Sequence, residues 1–322
     1  MTQTKILITG VNGQIGTVLK RELSKKFGAE NVFSSDIKLE DNPEKNQFCL
    51  DVLDKEKLFK IVEEYKITQI YHLAALLSGV AEQKPQMAWR INTEGLVYVL
   101  EAGRIYGLDK IFAPSSIAVF GAGIDKENTI QDSPLNPSSI YGISKVANEL
   151  WHKYYFDKYN LDVRSIRYPG IIGYDSMPGG GTTDWAVEIF HEAVKNKHYN
   201  CFLKKDTKLP MILMSDALKA TLDIMDAPKE AIKIRSSYNL ASESFSPEEI
   251  ASLIKKYDPE FTISYDPDFR QAIADSWPKV INDTEARQDW NWKPDNDTKK
   301  MVEVMYTNIE KLYKDVGSTV EE

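Results

Sequence analysis

Tyr141-Gly142-Ile143-Ser144-Lys145 places a phenol and an ammonium four residues apart at the opening of a stretch with helical periodicity. Residues i and i+4 share a helix face, so the two side chains point the same way. A cation beside a phenol favours the phenolate and lowers a pKa that is ~10 when unperturbed. A tyrosine tuned in this way can take a proton from an alcohol near neutral pH. A hydroxyl partner stands in Pro114-Ser115-Ser116-Ile117-Ala118-Val119-Phe120-Gly121, directly after a short apolar run at 110–113. At the carboxyl end of such a strand Ser116 can reach a reacting oxygen, whereas Ser115 reads as a turn-capping hydroxyl.

Alcohol oxidation also needs a hydride acceptor, and the N-terminal segment suits one. Gly10-Val11-Asn12-Gly13-Gln14-Ile15-Gly16 follows an apolar run and opens a helical pattern. Glycines there allow a tight turn and close approach of a pyrophosphate, whose charge sits at the helix N-terminus. Asp36 ends the next apolar run, 20 residues beyond Gly16. A carboxylate at that place accepts hydrogen bonds from both ribose hydroxyls and repels a 2′-phosphate, which favours NAD over NADP. Asp51-Val52 is placed to meet the adenine edge, although Asp51 reads equally as a helix N-cap. Leu73-Ala74-Ala75 supplies small residues where backbone must pass close to the cofactor.

The elements that must position these residues follow one another regularly. Short apolar runs at 5–9, 32–35, 48–50, 69–72, 110–113 and 163–167 alternate with helical patterns at 14–26, 55–65, 86–106 and 142–159. Strand alternating with helix predicts an α/β fold, a Rossmann-type doubly wound parallel sheet. After about residue 170 the loops lengthen, around 176–183, 202–210 and 265–278. Helices are predicted at 184–196, 216–225, 247–257 and 298–314, with a strand near 238–241. This reads as a smaller C-terminal α/β substrate lobe over the carboxyl ends of the strands. Residues 1–170 are expected to form the NAD-binding unit carrying the Ser/Tyr/Lys set. Residues 171–322 are expected to form mainly the lobe, with some segments returning to the first unit.

Composition narrows the possibilities. The 322 residues are 42% hydrophobic and 27% charged, an ordinary balance for a globular protein. The net charge of −8 arises from 48 acidic and 40 basic residues with no basic run, which argues against nucleic acid as a partner. No apolar window reaches the ~18 residues of a membrane span. The N-terminus lacks the pattern of a secretion signal. Cys49 and Cys201 are too few for a disulfide framework, and no CxxC or HExxH spacing supports a metal. The expectation is a cytoplasmic, metal-free protein acting on a small molecule.

Together these motifs resemble the extended short-chain dehydrogenase/reductase family over most of the chain, in order, and the match includes Arg167-Tyr168-Pro169-Gly170. The resemblance implies that Tyr141 transfers the proton, Lys145 binds the nicotinamide ribose and tunes Tyr141, and Ser116 orients the substrate hydroxyl. It places Tyr168 on the cofactor side and matches Asn92 to a site-supporting asparagine, although Asn92 reads equally as a polar residue inside a helix. The dehydratases of the family carry an Asp-Glu pair where Ile117-Ala118 stand here.

Longer motifs, Arg167 to Gly173, the GGGTTDWAVEIF run and Ser276-Trp277-Pro278, resemble the zinc-independent L-threonine 3-dehydrogenase branch of the family. That resemblance implies oxidation of the threonine β-hydroxyl to 2-amino-3-oxobutanoate, which decarboxylates to aminoacetone. It implies substrate contacts by Gly180, Trp277 and either Thr182 or Thr183, with Ser78 near the nicotinamide. From the residues alone, the glycine run suits a small carboxylate or serves as a flexible turn with an N-cap at Thr183, and Trp277 can equally be a packing aromatic. The group that recognises the amine is unassigned. A nucleotide-sugar 4-epimerase is the alternative activity, and an NAD-sensing scaffold a third reading. Family members pair through the helices at 86–106 and 142–159. Trp151, Tyr154 and Tyr155 suit such a homodimer bundle or internal packing.

Overall fold

Every residue of the first strand is buried, which only a sheet covered on both faces provides. In the computed structural model, residues 3–39, 43–175, 177 and 179–318 are described. The strands of the main sheet are β1 (Ile6–Thr9), β2 (Val32–Asp36), β3 (Gln47–Cys49), β4 (Gln69–His72) and β5 (Lys110–Phe112). After a short β6 (Ser115–Ser116), β7 (Val163–Arg164) completes it. The order is β3-β2-β1-β4-β5-β7 with every pairing parallel. Chain direction across the sheet reverses between β1 and β4, and ligands bind beyond the carboxyl ends of strands at such a point. Alternate side chains of β1 feed separate cores: Ile6 and Ile8 pack with Val18 and Leu19, and Leu7 packs with Leu58, Val99 and Leu100.

The helices confirm the alternation with instructive differences. They begin with α1 (Gln14–Phe27), α2 (Lys55–Glu64), α3 (Ser78–Gln83), α4 (Pro85–Trp89), α5 (Gly95–Tyr106) and α6 (Ile140–Tyr159). The single helix expected over 86–106 is interrupted by a wide π-turn at Arg90–Glu94. Asn92 lies in that turn, buried. α2 is capped by Asp54, whose carboxylate accepts the Lys57 N–H, so the cap expected at Asp51 falls three residues later. Helix α3 was not legible in the sequence pattern, because six residues hold too few turns to show a period.

The run expected at 163–167 also divides. β7 stays with β5, and after Ser165 the chain crosses to β8 (Ile166–Tyr168), which pairs with β6 and with β12 (Tyr238–Asn239). β9 (Gly170–Ile172), β11 (Leu209–Leu213) and β13 (Glu243–Phe245) make another sheet, and β10 (His198–Cys201) pairs with β14 (Thr262–Tyr265). Around them pack α7 (Trp185–Asn196), α9 (Pro247–Ile254) and α12 (Thr298–Ser318), enclosing Trp185, Phe190, Met301 and Met305. α8 (Met214–Asp226) and α11 (Thr284–Trp290) instead share the core of β1 and α1 through Ala217, Ile224, Ala286 and Trp290. The long loop expected over 265–278 contains α10 (Arg270–Ser276). No described helix is long and apolar enough to cross a membrane.

Candidate active site

A cavity of about 380 Å³ opens at the carboxyl ends of β1 and β4. Its floor is the glycine turn. Gly10 has φ +76°, and a Cβ there would stand 2.6 Å from the Ala74 backbone nitrogen, so β1 and the Leu73-Ala74 segment touch through missing side chains. A Cβ on Gly16 would fall 2.5 Å from the Gly10 carbonyl oxygen. Gly13 differs: its backbone is extended, at φ −74° and ψ 167°, and a Cβ would meet only the Gly10 oxygen, at 3.4 Å. Nothing inside the protein requires glycine at 13, and its open side borders the cavity. The first turn of α1 holds no acidic residue and no side-chain cap, leaving its N–H groups for an external anion. Such a cradle fits the pyrophosphate of a dinucleotide.

Gln14, Ile15, Leu73 and Ala75 also border this space, and Ala74 packs behind them against Gly10. Asn12 fastens the turn to the next strand: its N–H donates to Asp36 Oδ2 at 2.9 Å and its amide to the Lys38 carbonyl at 2.7 Å. The other Asp36 oxygen accepts the Ile37 N–H at 2.8 Å, so the carboxylate is held half-buried at the end of β2. Asp51 is exposed and accepts the Leu53 N–H, and Val52 is buried against Gly95. Neither borders the cavity.

At the centre, Ser139 caps α6 by accepting the Gly142 N–H at 3.0 Å and so fixes the turn that carries Tyr141 and Lys145. The Tyr141 phenol shares a hydrogen bond with Ser116. Lys145 donates from Nζ to the Pro114 carbonyl at 2.7 Å, with Nζ 5.5 Å from the Tyr141 ring centroid. Burial pushes Tyr141 up to about 12, against the lowering effect of the Ser116 hydrogen bond. Burial also pulls Lys145 down to about 8, opposed by the negative charge of Glu149. The lowering of Tyr141 by Lys145 expected from their spacing is therefore absent in this arrangement. Desolvation dominates, and the ammonium spends its hydrogen bond on a carbonyl.

Behind them lies a network that the sequence reading missed. Ser115 does not cap a turn. Its hydroxyl donates to Glu149 Oε1 at 2.6 Å, and Arg167 grips the same carboxylate through Nε and Nη2 at 2.9 and 2.8 Å. Arg167 also donates to the Gln131 carbonyl and to Asn239 Oδ1, so one buried cation ties β8 to α6, to β12 and to the loop at Gln131. Glu149 follows Lys145 by four residues, a spacing that could have drawn attention to it. Asn92 serves the same frame: its amide exchanges hydrogen bonds with both Leu76 backbone groups, at 2.8 and 3.0 Å, and donates to Ser144. It holds the cavity wall without lining it. Tyr168 presents its ring to the cavity and turns its hydroxyl away to Thr221.

The far wall brings α3 against the glycine run. Ser78 Oγ stands 3.2 Å from Thr182 Oγ1 and accepts the Thr182 N–H at 3.3 Å. The Gly79 N–H donates to the Gly180 carbonyl at 3.2 Å, and a Cβ on Gly79 would collide with that oxygen at 2.5 Å. Gly180 has φ +91° and stands just behind the lining made by Gly179, Gly181, Thr182 and Thr183. Pro178 lies outside the described residues. The N-cap position of α7 is Asp184, not Thr183, and its Oδ2 reaches back to accept the Gly180 and Gly181 N–H groups, both at 2.7 Å. Burial raises the Asp184 carboxyl above its ordinary range despite these bonds. Trp277, buried, closes the wall. Among the described lining residues, Lys145 is the one cation and Asp184 the one acid. The residues thus form a dinucleotide cradle beside a small chamber rich in hydroxyls.

Residues 6–241 match the sequence pattern of the NAD dependent epimerase/dehydratase family. The chain belongs to this family. Membership accounts for the glycine cradle: this epimerase/dehydratase family member is an NAD-dependent oxidoreductase, and Gly13 with the open start of α1 fits that cofactor. Within the family, the mitochondrial L-threonine 3-dehydrogenase of Bos taurus is 46% identical over 310 residues, covering 94% of this chain and 82% of the relative. The holo form of a GalE-like L-threonine dehydrogenase from Cupriavidus necator is 46% identical with a TM-score of 0.92, covering 95% of this chain and 99% of that one. A monomeric L-threonine 3-dehydrogenase from a metagenome, in its apo form, is also 46% identical, with a TM-score of 0.93 and the same coverages.

Proposed function

We propose that this chain oxidises the β-hydroxyl of L-threonine to 2-amino-3-oxobutanoate with NAD, the product then losing carbon dioxide to give aminoacetone. The observation that carries the reading is the chamber in which Ser116, Tyr141 and Lys145 border the same space as Ser78, Thr182 and Thr183, with Asp184 the one acid among the described lining residues. That lining suits a small zwitterion. The 4-epimerase alternative calls for basic residues to hold a nucleotide diphosphate, and the wall from Gly179 to Asp184 offers none. The names of the relatives above point the same way.

The residues divide the work as follows. The glycine turn, Asn12 and Asp36 hold NAD, which supplies a hydride acceptor when bound. Ser116 donates to the substrate β-oxygen and Tyr141 takes its proton, leaving the β-hydrogen to depart as hydride. Lys145 offsets the charge on the phenolate, and Asn92 with Ser139 keeps the wall and the α6 turn in register. Thr182, Thr183 and Trp277 bound the amino-acid end with Ser78, and Gly180 backs that wall from behind. With its phenol pushed to about 12, Tyr141 is ionised in only ~10⁻⁴ of molecules at pH 8, so the rate depends on pH. NADH formation with L-threonine, and none with UDP-glucose or UDP-galactose, is the deciding assay. The opposite pattern refutes the reading.

Residues 1–170 are assigned to the NAD-binding unit and 171–322 to the substrate lobe, with α8 and α11 returning to the first. A homodimer is favoured by the apolar side chains exposed on α5 and α6, Ile105, Ile143, Leu150 and Tyr154. Tyr155 is turned inward, its hydroxyl bonded to Glu101, and takes no part. Light scattering should give twice 36.6 kDa, and the monomer mass refutes the pairing. A cytoplasmic site is suggested by the exposed free thiol of Cys49, which suits a reducing compartment. Cell fractionation checks it.

A further inference from the structure

Behind Trp277, on the side away from the catalytic chamber, lies a second recess of about 230 Å³. Four lysines border it, Lys126, Lys204, Lys208 and Lys279, against Asp206 and Asp275. This is a local positive excess on a chain of net charge −8. The acids are partly committed: Asp275 Oδ1 accepts the Gln271 amide at 2.7 Å, and the charge of Asp206 faces Lys279. Lys279 pairs with Glu127 at 2.7 Å, and Lys126 donates to the Asp275 carbonyl. The Lys204 and Lys208 ammonium groups have no protein partner among the described residues. The loop carrying them is clamped from below, because buried Gln271 accepts the Lys204 N–H at 2.8 Å and bonds Thr207 Oγ1 at 3.0 Å. The backbone is thus fixed while two cations are left facing a recess.

We propose that this recess binds a small, multiply charged oxyanion of the phosphate class against the outer face of Trp277. Two uncommitted ammonium groups on a fixed loop match a dianion better than a singly charged group, since attraction scales with the product of the charges. Trp277 borders both spaces, so occupancy of the recess reaches the chamber wall. The site is separate from the glycine cradle and does not depend on the threonine reading.

Calorimetric titration of the NAD-saturated protein with pyrophosphate at low ionic strength tests it, because NAD blocks the cradle from competing. Binding should weaken at least ~10-fold in the Lys204→Gln/Lys208→Gln double variant and fall with added salt. Neither ammonium group has a protein partner among the described residues, so the variant should melt as the parent does and keep its NAD affinity. Acetate should give no comparable binding. Tryptophan emission should change on addition of pyrophosphate, and that change should vanish in Trp277→Phe. No heat from the parent, equal affinity in the double variant, equal binding of acetate, or emission unmoved by bound pyrophosphate each overturns the proposal.

Discussion

A methyl group added at Gly13 and, separately, at Gly16 distinguishes what the turn does for the fold from what it does for the cofactor. Gly13 has a backbone that alanine adopts without strain, and the new Cβ touches only the Gly10 oxygen at 3.4 Å. Replacing glycine by alanine at a compatible position stabilises by about 0.4–1 kcal/mol through the unfolded chain. Gly13→Ala should therefore melt at or slightly above the parent temperature. Its methyl nonetheless enters the space where NAD must bring its pyrophosphate. Overpacking of that kind costs about 1–3 kcal/mol, or roughly 5- to 150-fold in Kd. At Gly16 the added carbon would lie 2.5 Å from the Gly10 oxygen and 2.6 Å from the Val11 oxygen, both backbone atoms that cannot swing aside. Gly16→Ala should lose stability and NAD affinity together. Thermal melts beside calorimetric NAD titrations read both quantities. If Gly13→Ala binds NAD as tightly as the parent, or melts as low as Gly16→Ala, the cradle has been misread.

Tyr141→Phe should lower turnover with threonine by ~10²–10⁴-fold while NAD affinity stays within about twofold, measured by steady-state kinetics and titration. The pH profile follows from the two pKa values near the centre: the active form needs Tyr141 ionised, with its pKa pushed to about 12, and Lys145 charged, with its pKa pulled to about 8. Below about pH 8 log kcat/KM should rise one unit per pH unit; above it the loss of the ammonium cancels the gain in phenolate, and the curve should level. A flat profile between pH 6 and 8 contradicts this account. Glu149→Leu should cost about 3–5 kcal/mol by leaving buried Arg167 without its counter-charge, whereas Glu149→Leu with Arg167→Met should recover much of the loss in denaturant melts. Asp36→Ala should weaken NAD and narrow its advantage over NADP, read as the ratio of the two Kd values.

What the chain order revealed was what repeats locally. The alternation of apolar runs and helical patterns predicted the main sheet, and glycine spacing located the turn between β1 and α1, because these depend on neighbours within a few residues. Contacts made at long range left no such trace. Ser115 looked like a capping hydroxyl because its partner, Glu149, is 34 residues away and meets it only after β6 and α6 pack. Asp184 is a different case: its partners Gly180 and Gly181 are only four and three residues back, but the bonds need the irregular glycine turn, which carries no period. The spacing of Tyr141 and Lys145 placed both on one face, as found, but spacing carries no measure of burial. Burial reversed the expected direction of the phenol's shift. Short or irregular elements, the six residues of α3 and the π-turn around Asn92, fell below what periodicity resolves.

The joint between Gly79 and Gly180 is made by one peptide group resting on another, with no side chain on either part. Substitutions at most positions erode a contact by degrees, since a smaller or larger group still fills some of the gap. Here the smallest addition to Gly79 would drive a wedge between α3 and the glycine run before α7, and no intermediate fit exists. Evolutionary drift or directed libraries aimed at admitting bulkier amino acids should accordingly find more freedom at Thr183, which borders the chamber, than at this seam.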